Sequence, residues 1–130
     1  MENENAPLEP EYEDPVPMYA NNVRFELTVW DLRIFFGQLF AQKPSNSPEV
    51  SWHTDVAIPW PQAKLMHLYL GINLALYEAE NGKITIPASV LPPAISAPPA
   101  EVDTSNAQAV ATFQMVQRMI NEFREAETKG

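Results

Sequence analysis

Residues 61–81 constrain this chain more than any other stretch, because they are apolar on two sides at once. Pro61 suits the first position of a helix, where its missing N–H costs nothing, and Gly82 after Asn81 suits the left-handed stop. Projected at about 100° per residue, Leu65, Leu68, Tyr69, Ile72, Ala75, Leu76 and Ala79 form one broad arc, which should cover a sheet. Ala63, Met66, Leu70, Leu74 and Tyr77 form a second arc on roughly the opposite side. Gln62, Asn73 and Glu80 separate the two on one flank, and Lys64, His67, Gly71 and Glu78 on the other. One small sheet hides one arc. The other needs a helix or a second subunit, since each large apolar side chain left wet forfeits roughly 1.5–3 kcal/mol.

The sheet itself is legible from period-2 alternation. Val23, Phe25 and Leu27 alternate with Arg24, Glu26 and Thr28, and Leu32, Ile34 and Phe36 with Arg33, Phe35 and Gly37. A hairpin that shares one apolar face pairs Leu27 with Leu32, Phe25 with Ile34 and Val23 with Phe36, and sets Glu26 opposite Arg33. Its turn falls on Val29-Trp30, which lack the Asn-Gly chemistry of a primed turn. Either a longer type I loop forms or Trp30 makes a contact. Lys43–Pro48 reads as a loop. Strand three follows, with Val50, Trp52, Thr54, Val56 and Ile58 on the core side and Ser51, His53, Asp55 and Ala57 on the other, and Pro59-Trp60-Pro61 stops it. Lys83–Ile86 is a short fourth strand or an extended edge. The fold class is α+β: three to four antiparallel strands backed by one long helix, plus a second, C-terminal helix after a Pro-rich spacer.

Charge and proline divide the chain of 130 residues. Residues 1–17 carry Glu2, Glu4, Glu9, Glu11, Glu13 and Asp14 with no base and with four prolines, the composition of a disordered acidic arm. Residues 18–87 hold six acids against five bases, a nearly neutral α+β domain. Residues 88–104 are a Pro-rich linker with Pro92-Pro93 and Pro98-Pro99, and residues 105–130 an amphipathic helix. There, Ser105-Asn106-Ala107-Gln108 reads as a capping box, and Ala109, Phe113, Val116, Ile120 and Phe123 recur at spacings of 4, 3, 4 and 3.

A net charge of −9 opposes binding to nucleic acid, which rests on Lys and Arg displacing counterions. No apolar run approaches the roughly 18–20 residues that span a bilayer, and the N-terminus is acidic where a signal peptide would be basic. A cytoplasmic protein with no membrane contact is the expectation. Absence of Cys excludes a disulfide scaffold, a thiolate nucleophile and zinc-thiolate sites.

At Tyr19-Ala20-Asn21, the hairpin, Ala63-Lys64, and Tyr77-Glu78 followed by Gly82-Lys83-Ile84, the chain resembles a family of short prokaryotic proteins known as a domain of unknown function, the one numbered three thousand four hundred sixty-seven. The resemblance covers about residues 18–87 and implies a prokaryotic origin and a compact strand-rich module with one long helix. It carries no activity or catalytic residue across.

Two sharper readings weigh against blander ones. His53 and Asp55 share one face of strand three, and an i, i+2 pair can chelate a divalent metal or set up a base with its orienting carboxylate. A third ligand is usually wanted, and His67 serves only if the helix flank comes over that face, so the pair reads as solvated surface and no metal is expected. Lys64, His67, Gly71 and Glu78 line a polar flank that reads as wet surface, as a small-molecule groove, or as a helix contact at Gly71. The chain has no Gly-rich phosphate loop, no Gly-x-Ser-x-Gly elbow and no His-Glu-x-x-His. The expectation is therefore a non-enzymatic interaction or assembly module without cofactors, forming a homodimer or meeting a protein partner. Its contact residues are Met66, Leu70, Leu74 and Tyr77 on the first helix, Phe113, Val116, Ile120 and Phe123 on the second, and Trp30 at the hairpin. A chaperone-like binder of apolar client segments is the alternative, and a metal-dependent hydrolase using His53, Asp55 and His67 the third.

Overall fold

In a computed structural model that describes residues 14–39 and 49–129, the elements run β1 (Asn22–Leu27), β2 (Asp31–Leu39), β3 (Val50–Pro59), α1 (Trp60–Asn81) and α2 (Ala107–Thr128). The chain is α+β. The acidic run up to Glu13 and the Lys43–Pro48 loop lie outside the described residues. Two compact units divide within α1, Met1–Leu68 and Tyr69–Gly130.

In the first unit the strands form one antiparallel sheet in the order β1-β2-β3. The hairpin register is the one that shared parity demands: Leu27 faces Leu32, Phe25 faces Ile34, Val23 faces Phe36 and Glu26 faces Arg33. Ile34, at the centre of the middle strand, is 3% exposed and is the only buried apolar side chain among the described residues. Thr28 supplies the turn chemistry that Val29 and Trp30 lack. Its Oγ1 accepts from the amides of Trp30 (3.2 Å) and Asp31 (3.0 Å) and lies 2.8 Å from Asp31 Oδ1, its acceptor. This hydroxyl-centred turn needs no left-handed residue, and no non-Gly residue among those described has positive φ. The Trp60 indole, at the first turn of α1, donates to the Thr28 carbonyl at 3.0 Å.

One strand departs from its expected parity. A register shift places Gly37 opposite Trp52 while Phe36 faces Thr54, so His53 is the extra residue of a bulge. The bulge moves Trp52 off the face expected for it. Its ring lies instead over Gly37, on the side carrying Phe35, with the Arg24 guanidinium 4.2 Å from the Phe35 ring centre and 5.4 Å from that of Trp52.

In the second unit Gly82 adopts φ 84°, its amide bonding Glu78 O at 2.9 Å, the left-handed helix stop expected of it. Residues 83–86 form no strand. The chain reverses, and the Glu78 carboxylate receives the Ile84 amide at 2.9 Å. The Pro-rich stretch runs along α2, held by its backbone: Gln117 and Asn121 donate to Ile95 O at 2.9 and 3.1 Å, Asn121 Oδ1 accepts from Ile95 N at 3.3 Å, and Arg124 donates to Pro92 O at 2.5 Å. The N-cap of α2 is Asn106, whose Oδ1 accepts from Gln108 N and Ala109 N at 3.0 and 3.2 Å. The capping box expected from Ser105 does not form: the cap falls one residue later, with Ala109 at its third helical position and no side chain there to return a bond, while Ser105 is spent on Asp103.

Candidate functional site

Helix α1 has no buried residue. Its large apolar side chains from Leu65 to Tyr77 are 36–62% exposed, so the arc expected to cover the sheet is as open as the arc expected to meet a partner. A helix apolar on two opposite arcs needs cover on both. The sheet repeats the pattern, with Val23, Phe25, Leu27 and Val56 exposed on the face of Ile34.

Three of the expected contact residues come together. Leu70, Leu74 and Tyr77 lie on one side of α1, and the reversal at Gly82 brings Lys83 and Ile84 back beside them. The result is an open groove of about 610 Å³ with Asn73 and Asn81 on its lining. Both amides are oriented by their own helix: Asn73 Nδ2 donates to Tyr69 O at 2.8 Å and Asn81 Nδ2 to Tyr77 O at 3.0 Å. Among the described residues Lys83 is the only charged one of the lining, and its Nζ reaches the carbonyls of Ala126 and Glu127 at 3.2 and 3.3 Å, where the last turn of α2 lacks donors. Met66 is exposed on the same arc as Leu70, and a Cβ on Gly71 would meet nothing within 4 Å.

Trp30 lies at the hairpin tip, in the first unit. It and Val29 are 84% and 86% exposed. On α2 the expected seam is split. Phe113 and Ile120 are half-buried, whereas Val116 and Phe123 are exposed, because Gln117, Asn121 and Arg124 turn toward the Pro-rich stretch. Phe113 and Val116 also border an open hollow of about 540 Å³ beside Val102 and Asp103. The polar members of the groove and the clamping residues of α2 escaped the sequence reading, which followed apolar periodicity. The clamp did have a signal, amides and a guanidinium at spacings of 4 and 3.

The candidate metal pair is engaged otherwise. His53 Nε2 lies 2.9 Å from Tyr19 O, an acceptor only, and so donates to it, while Nδ1 lies 2.7 Å from Thr54 Oγ1. Asp55 is bonded to Arg33, which also pairs with Glu26 at 3.4 Å, and Asp55 foremost holds the guanidinium above its ordinary value. Among the described residues no three His, Asp or Glu side chains converge, and no helix is long and apolar enough to cross a membrane.

A family described as "Protein of unknown function (DUF3467)" matches residues 2–86, and the chain belongs to it. The match takes in the acidic arm as well as the sheet and α1, and stops before the Pro-rich stretch. No curated protein and no solved structure matches the chain.

Proposed function

We propose that this family member is a non-enzymatic assembly module that associates with a second copy of itself, at its simplest as a homodimer, through apolar surfaces of α1 and α2. The observation that carries this reading is the 22-residue helix α1, apolar on two arcs and with no residue buried. Water does not favour such a helix. Covering each large side chain is worth roughly 1.5–3 kcal/mol, and one chain of this size has little core with which to do it. The near-neutral charge of residues 18–87 lets two copies approach without strong repulsion. His53 and Asp55, spent on Tyr19, Thr54 and Arg33, leave no free pair for chemistry on the sheet.

The test is the solution mass of the full chain by light scattering, with and without Glu in place of both Leu70 and Leu74. The wild-type chain is expected as a dimer or larger closed assembly, and the double variant as a monomer or an aggregate. An unchanged mass in the variant counts against the reading.

A further inference from the structure

We infer that the Val29-Trp30 tip of one copy seats in the α1 groove of a second copy, and that the two copies exchange this contact reciprocally about a two-fold axis. The inference rests on the self-association reading and names its contact. Both halves of the contact lie open in the same chain: among the described residues Val29 and Trp30 are the two most exposed large apolar side chains, and the groove is lined by apolar Leu70, Leu74 and Tyr77. The tip is held before it docks. The Thr28 hydroxyl bonds the Trp30 and Asp31 amides, and Trp60 grips the Thr28 carbonyl, so little conformational freedom is lost on binding.

Chemistry and size agree. A buried indole seeks one acceptor, and the groove offers the Oδ1 atoms of Asn73 and Asn81, whose amino groups are already given to Tyr69 and Tyr77 carbonyls. Charge is complementary: among the described residues Lys83 is the only charged one lining the groove, and Asp31 is the charged residue of the turn from Thr28 to Asp31. The groove, at about 610 Å³, has room for an indole and an isopropyl group together. A Trp with its neighbouring Val buries roughly 300 Å². Counted on both surfaces, two reciprocal insertions remove roughly 1,200 Å², the lower end of what stable interfaces bury. Two-fold exchange also uses both contacts and closes the assembly, where a single head-to-tail insertion would leave a tip and a groove open for further growth.

Because the chain has no Cys, two full-length single-cysteine variants, Val29→Cys and Thr85→Cys, can be mixed and mildly oxidised. Both keep Trp30 and the groove floor. The mixed 29–85 disulfide is expected to exceed either like pair at least tenfold. In the cysteine-free chain, Trp30→Ala is expected to raise the dimer dissociation constant at least about 30-fold, as loss of a central aromatic anchor does. A dimer that persists with Trp30→Ala within twofold of wild type, or that cross-links mainly 29 to 29 or 85 to 85, overturns the tip contact while leaving self-association standing. A chain that stays monomeric at every concentration overturns both.

Discussion

Trp52 lies against the backbone of Gly37 so closely that a Cβ on Gly37 would come 2.7 Å from the indole Cε3. Val50 Cγ1 would be equally near, and Ser51 O at 2.9 Å is backbone that cannot swing aside. Gly37→Ala is therefore expected to cost about 1–3 kcal/mol, the usual penalty of overpacking, read as a lowered urea midpoint with a shift in tryptophan emission. An unchanged midpoint would show that the bulge does not depend on this contact.

The hairpin turn depends on one hydroxyl. Thr28→Ala leaves the Trp30 and Asp31 amides without their acceptor and is expected to cost about 0.5–1.5 kcal/mol, whereas Thr28→Ser keeps most of the stability. Paired denaturation curves check it. Equal losses in the two variants would assign the effect to the methyl group instead.

These residues also mark where sequence suffices and where it does not. The hairpin register follows from parity and a tight turn together: a one-residue slip would put Leu27, Leu32, Phe25 and Ile34 on opposite faces, and the short Thr28–Asp31 turn selects among the alignments that parity allows. Parity fails at Trp52, since a one-residue bulge reverses every side chain beyond it. An isolated glycine in β2 was the available signal. On α1 both arcs were legible, but that both stay open was not, because periodicity says which side is greasy and not what lies against it. The groove depends on a reversal at Gly82 that brings Lys83 and Ile84 beside Leu74, a tertiary fact with no periodic trace. At the start of α2, Ser105 and Asn106 are both good caps, and the choice rests on Asp103 engaging the serine.

Asp103 gives a pH dependence with a definite sign. The Ser105 hydroxyl at 2.5 Å, and after it the Ser105 amide at 2.9 Å, hold its carboxyl below the ordinary carboxylate value. A depressed folded value means that the turn before α2 gains its support above the unfolded pKa of about 3.9 and loses it as pH falls through the folded value. Carboxyl NMR titration is expected to place Asp103 lower in the wild-type chain than in Ser105→Ala. Coincident curves would remove the assignment.

Asn121 holds both the N–H and the C=O of Ile95, so its side chain is the centre of the clamp on the Pro-rich stretch. Asn121→Ala leaves Gln117 and Arg124 in place and is expected to speed amide hydrogen exchange at Ile95 several-fold without altering exchange in β2. Exchange unchanged at Ile95 would mean the clamp contributes nothing to order there.

The central claim, that α1 cannot keep both apolar arcs in water, is tested most directly by sedimentation equilibrium of the full chain across a wide concentration range. The account predicts the mass of two or more chains, falling to that of one folded chain or rising into aggregate when Leu70 and Leu74 are both changed to Glu. A folded, soluble single chain at every concentration, with the Leu70–Tyr77 flank freely hydrated, would contradict it.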